Sequence, residues 1–281
     1  MIFVQFSLQA PAFFPKIDML KYSLPPLSPA TDSALNILQI AVNNGIGRKD
    51  RYEIAKMLFK SKTSSTWIEV KGVLEKFAPS GKSCYYCERD RFRDIEHVMP
   101  KLHYPENCFS WDNYIYACAI CNQDRKKDTF AVFDAAGNVV KFNRTHDINL
   151  PIPSGTHVFI DIRTEDPLNF LALDLKTGFL VPIGNALDKE RGEFTKSLFD
   201  LNNSSLADIR AAAYVTYCHY LNMFKDALNA SDPYKANRLF NQIKKLNHPT
   251  VLVEMRRQTV ALPHLQVLFQ QIPLSIGARP V

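Results

Sequence analysis

Four cysteines form two Cys-x-x-Cys pairs, Cys84/Cys87 and Cys118/Cys121, on either side of the run Asp94-Ile95-Glu96-His97-Val98-Met99-Pro100, and the second pair leads straight into Asn122. A two-residue spacer lets both thiolates of a pair bind one ion from a single turn, so the two pairs together supply the four sulfur ligands of a structural Zn²⁺. A redox role would need one such pair near a βαβ pattern, and plain apolar packing does not require doubled spacing. Between the pairs, His97 titrates near working pH and suits a general base. Glu96 beside it and Asn122 offer hard oxygen ligands for Mg²⁺ or Mn²⁺, leaving room for water and phosphate. Together these groups have the parts that phosphodiester hydrolysis needs: a base for water and a cation for the leaving oxygen.

Positioning them falls to a hairpin and a helix. If residues 93–98 form a strand, alternation sends Asp94 and Glu96 to one face and Ile95 and His97 to the other. Base and carboxylate can then flank one phosphate only if the strand ends in a bent hairpin, for which Pro100 and the run 101–107 supply the turn. The segment 111–118 reads as the return strand, merging into a short helix that carries Cys121 and Asn122. A zinc ion would pin that helix to the hairpin, where so small a unit has little core of its own.

Around this centre the chain reads as α+β. Its 281 residues allow one large domain or two small ones, and a hydrophobic fraction of 46% with 22% charged residues is that of a globular protein. No apolar run reaches the ~20 residues of a membrane-spanning helix. Cysteine usage fits a reducing compartment, so a cytoplasmic location is expected, and the formal charge of +6 permits a polyanionic partner. Prolines 11, 15, 25, 26 and 29 make residues 1–30 an extended arm with an edge strand or docking segment at its start; Phe3, Phe6, Phe13 and Phe14 pack on their own domain or dock a partner. Helices are expected after caps at Thr31-Asp32-Ser33 and over 49–60, 64–77 and 206–228. Hairpins are expected at 131–142 and 170–181. The resulting organisation is an N-terminal arm and helical region (1–80), a zinc module (81–135), then hairpins and a C-terminal helical region (136–281). Cys108 and Cys218 read as core packing, and His103, in the hairpin loop, as a plain loop residue, with contact to substrate as the alternative.

The ordered set Cys84-x-x-Cys87, Asp94-Ile95-Glu96-His97-x-x-Pro100, Trp111-x-Asn113 and Cys118-x-x-Cys121-Asn122 resembles an HNH endonuclease of the zinc-bearing ββα-metal type, over about residues 82–130. The resemblance implies His97 as general base, Glu96 and Asn122 as ligands of the catalytic cation with Asp94 as the alternative carboxylate, and Asn113 as the residue that ties down the hairpin loop. The last motif position is often histidine and here is Asn122, which favours an oxygen-loving metal. The basic residue that usually follows three positions later is Arg125. With Lys101, Lys126 and Lys127 it is a candidate for phosphate contact. More broadly, the proline-rich arm, the run 161–168 and a helical tail from about 198 are similar to the HNH subunit of Septu-type and retron-linked antiphage defence systems. That likeness implies DNA as substrate and an ATPase subunit as partner. An RNA- or tRNA-cleaving HNH nuclease and a non-catalytic zinc-ribbon adaptor are the alternatives; an adaptor has no use for a carboxylate and imidazole between its knuckles.

Overall fold

Capping chemistry sets the first helices of the computed structural model, which describes residues 24–60, 64–81, 83–89, 93–270 and 272. The expected N-terminal strand and the four phenylalanines of the arm lie outside the described residues. Helix α1 (Pro29–Asn43) begins earlier than Thr31-Asp32-Ser33 suggested, because Ser28 is the cap, accepting from the Thr31 amide, and Pro29 fills the first position. The same Ser28 and Thr31 hydroxyls donate to Glu69 at 2.7 and 2.6 Å, tying α1 to α3 (Ser65–Lys76). Between them runs α2 (Gly47–Lys60). Trp67, Val70 and Leu74 form the buried face of α3 expected from their spacing.

Strands β1 (Arg93–His97) and β2 (Tyr114–Cys118) pair antiparallel, with Arg93 opposite Cys118 and His97 opposite Tyr114. All of β2 is buried. A seven-residue π-helical segment, Ile120–Lys126, follows and lies across β1. The expected hairpins form as β3 (Phe130–Phe133) with β4 (Val139–Phe142), and, after the two-residue β5 (Thr156–His157) adds to the other edge of β3, as β6 (Leu171–Leu173) with β7 (Leu180–Pro182). The turn of the second hairpin needs Gly178: its φ is +72°, and a Cβ there would lie 2.0 Å from the Ala207 carbonyl oxygen.

Helices then take over: α4 (Ala186–Leu198), the long α5 (Ser204–Asn229), α6 (Pro233–Ile243), α7 (Pro249–Arg257) and α8 (Pro263–Phe269). Each of the last three starts on a proline, whose missing N–H costs nothing in a first turn. One connected set of buried side chains runs from Leu35 and Val42 through Trp67 and Ile115 to Leu221 and Met255. The fold is mixed helix and small antiparallel sheets, of the α+β class. Among the described residues no helix is long and apolar enough to cross a membrane.

Candidate metal centre and hairpin site

Cys84, Cys87, Cys118 and Cys121 are buried, and their sulfurs all lie within 4.8 Å of one another. Cys87 and Cys118 stand 3.8 Å apart, close to the ~3.8 Å that tetrahedral geometry with ~2.3 Å Zn–S bonds requires. The first pair sits on a turn held against β2, where the Tyr85 amide donates to the Tyr116 carbonyl at 3.0 Å. The Cys121 amide points at the Cys118 sulfur at 3.4 Å. Hydrogen bonding from Cys121 holds the Cys118 thiol well below its ordinary range, while burial pushes Cys84 up. Buried thiolates need a counter-cation, and four sulfurs fit one closely: the cluster can hold a metal ion such as zinc. With every ligand position filled by protein, such a site is structural.

Along β1, the face that carries Asp94 and Glu96 meets the crossing helix. Gln123 donates to Asp94 at 2.9 Å, and the Lys126 ammonium donates to Glu96 at 2.6 Å and to the His97 carbonyl at 2.7 Å. The Lys126 side chain is 0% exposed. Burial raises the Glu96 carboxyl above its usual range, and Lys126 opposes that shift. The Lys127 amide bonds the Asn122 carbonyl five residues back, the signature of a π turn. That wider turn carries Lys126 inward, whereas Arg125 faces out to Asp200 at 2.6 Å. Lys126 therefore sits in the core, not on a surface that meets phosphate. Asn122 is half-buried on the same helix and Lys127 is exposed.

His97 occupies the opposite face, as alternation predicted, and is 3% exposed. Its ring lies 4.6 Å from that of Phe59 and 5.4 Å from that of Tyr114, and Nε2 is 3.0 Å from the Cys108 carbonyl oxygen. A carbonyl only accepts, so Nε2 carries the proton and Nδ1 is the ring atom able to take one. Cys108 is fully buried and its thiol is pushed up to about 12 by burial, which keeps it neutral and inert, in line with the packing role expected of it. Asn113 clamps the loop: its side chain accepts from the Met99 amide at 2.7 Å and donates to the Met99 and Asn107 carbonyls at 3.0 and 2.9 Å. Lys101 is half-buried, its ammonium 5.5 Å from the Phe59 ring centre. The structure thus gathers Glu96, His97 and Asn113 on one hairpin, brings Lys126 onto it from the crossing helix, and leaves Arg125 and Lys127 outside it.

Two residues make contacts that the sequence reading did not give them. Arg163 donates to the Trp111 carbonyl, and at 3.1 Å to both the Tyr114 carbonyl and Asp112, while its guanidinium lies 4.9 Å from the Trp111 ring centre. No local pattern marks it, since its partners lie far along the chain. His103 is not a plain loop residue: it is 2% exposed, and its Nε2 bonds the Asp128 carbonyl at 2.8 Å. Among known proteins, the chain matches no family model and no curated sequence.

Proposed function

We propose that the chain is an HNH-type endonuclease that hydrolyses DNA phosphodiesters, with a structural Zn²⁺ on Cys84, Cys87, Cys118 and Cys121, working as the effector of an antiphage defence system beside an ATPase subunit. The observation that carries this reading is His97: a histidine at a strand end, its Nε2 committed to a carbonyl and its ring walled by Phe59 and Tyr114, on a hairpin crossed by the Asn122 helix. In the reaction, Nδ1 takes the proton of the attacking water, and the fixed ring holds the resulting imidazolium in place. Asn113, by fixing Met99 and Asn107, keeps the loop that supports His97 from drifting.

A bound Mg²⁺ or Mn²⁺ would supply positive charge to the departing oxygen. Asn122 with one carboxylate of β1 would hold it. Asp94 is exposed and bonded to Gln123, next to Asn122, and is compatible with that task. Glu96 fits only if Lys126 leaves it, because the ammonium takes the place of a cation at 2.6 Å. That same pair favours a second reading, a zinc-stabilised adaptor without catalysis.

The test is plasmid and RNA cleavage by the full-length chain, with Mg²⁺ or Mn²⁺ titrated. His97→Ala should lose ~10²–10⁴-fold in rate while keeping its zinc. Asp94→Asn, Glu96→Gln and Asn122→Ala should raise the cation concentration needed, and whichever carboxylate variant does so identifies the ligand. If His97→Ala cleaves like the parent in buffer where EDTA stops the parent, His97 is not the base. A parent that cleaves neither DNA nor RNA leaves the adaptor.

A further inference from the structure

A second polar site lies where the start of α2 meets the hairpin loop. A cavity of about 230 Å³, open on one side, is lined by Arg48, Arg51, His103, Tyr104 and Glu106. Its walls are held rigidly: the Gln39 side chain donates to the Pro105 carbonyl at 3.2 Å and accepts from the Phe109 amide at 2.8 Å, locking α1 to the loop. Arg51 is pinned by its Nε bond to the Gly45 carbonyl at 3.0 Å.

Arg48 is the informative member. Its Nη1 is buried and has no hydrogen-bond partner among the described residues. A buried guanidinium nitrogen is stabilised by an acceptor, so Nη1 is free to donate to a group that enters the cavity. Neither Arg48 nor Arg51 makes an ion pair among the described residues. A group that meets Nη1 there is an acceptor, and two guanidinium groups facing one cavity favour an anion with several oxygens. His103 agrees: burial, with the Arg48 charge as a minor contributor, holds its imidazole down to about 4, so it adds no positive charge that would repel the arginines.

We infer that this pocket is a phosphate subsite that holds one phosphodiester of a DNA backbone lying along the hairpin loop, fixing the strand relative to His97. The inference rests on the proposed hydrolysis of DNA at the hairpin. A backbone suits the cavity better than a small closed ligand site does, because one side is open for the chain to enter and leave. Glu106 at the rim works against binding, and its charge sets a second, opposite expectation.

The experiment is fluorescence anisotropy of a labelled short DNA duplex with the full chain in EDTA, so that nothing is cut, over a range of salt. Arg48→Gln should weaken binding about tenfold and lower the slope of log K against log salt by about 0.9, the share of one phosphate. Glu106→Gln should tighten binding severalfold. Zinc content and melting temperature, unchanged in both variants, show that the fold is intact. Parental affinity and slope in Arg48→Gln overturn the subsite, as does displacement of the duplex by micromolar 5′-mononucleotide, which would make it a free-nucleotide site. If the parent binds DNA through Arg48 but never cleaves it, the subsite stands and the nuclease reading falls. If the parent cleaves and Arg48→Gln binds like the parent, the reverse holds.

Discussion

At the end of the β1–β2 hairpin where Arg93 faces Cys118, four buried sulfurs are placed to share a metal ion; at the end where His97 faces Tyr114, the chain is held by groups that satisfy one another. A metal ion bound there would make the first end all-or-none, because thiolates within 4.8 Å of one another repel unless a cation joins them. The second is a set of separate bonds, from Asn113 to Met99, from Lys126 to Glu96 and from His97 to Cys108, each removable alone. The difference teaches where tuning is possible. Residues at the loop end can change reactivity or partner without unmaking the hairpin, whereas any change at the sulfur end unmakes it.

The largest effect should come from the sulfur end. Cys118→Ser, or stripping with a strong chelator, should take zinc content from about one per chain to none and lower the melting temperature by ~10 °C or more, as loss of a structural zinc removes folding free energy outright. Cys108→Ala, at the loop end, should keep its zinc and lose only ~1–2 kcal/mol of packing. Elemental analysis and thermal melts decide it: equal zinc loss in both variants, or an unchanged melt in Cys118→Ser, erases the contrast between the ends.

Within the loop end, two adjacent basic residues should differ. Lys126→Ala leaves the Glu96 carboxylate buried beside no cation and should cost ~3–5 kcal/mol. Lys126→Met with Glu96→Gln removes both charges and should recover part of that loss, since no charge is left buried; the Gln amide and the His97 carbonyl, without the ammonium, keep the recovery incomplete. Arg125→Ala, whose partner Asp200 is half exposed, should cost under ~1 kcal/mol. Urea unfolding of the three variants measures this, and equal costs for Lys126→Ala and Arg125→Ala would show that Lys126 is solvated.

The legible parts of the molecule were those with local causes. Doubled cysteine spacing marks a metal cluster because each pair needs only one turn to converge. The face of Trp67, Val70 and Leu74 marks α3, and the hairpin at 131–142 shows in its apolar runs and its Ala135-Ala136-Gly137-Asn138 turn. Less legible was α1, whose start depends on Ser28 and Pro29 instead of the three polar residues that follow. Strand β5 is only two residues long and carries no pattern. The inward turn of Lys126 depends on one five-residue backbone bond, which no choice of side chains announces, so a three-residue spacing rule singled out Arg125. Arg48 showed nothing in sequence because its pocket forms only when the start of α2 meets a loop far along the chain.

The smallest effect is a proton-linked one at the loop end. His103 is buried among the loop and strand residues, and burial lowers it from 6.5 to about 4. Its folded value is therefore below its unfolded one. As pH falls, the unfolded chain takes up the proton first, so the stability that neutral His103 contributes is present above about 6.5 and is lost progressively toward about 4. Between pH 7 and 6 the loss from this residue should be about 0.5–1 kcal/mol. His248, held down to about 4 chiefly by burial, and His157, also lowered chiefly by burial, add losses of the same sign, so the parent's slope sums several residues. His103→Gln can still donate to the Asp128 carbonyl but cannot titrate, and should make that slope shallower while leaving zinc content alone. The sulfur end behaves differently, since protons compete with zinc for thiolates and the midpoint there should move with added zinc. Urea midpoints at pH 7, 6 and 5, with and without excess zinc, separate the two ends. A slope in His103→Gln equal to the parent's would mean that the imidazole titrates alike in the folded and unfolded chain, and that its burial does not hold it neutral.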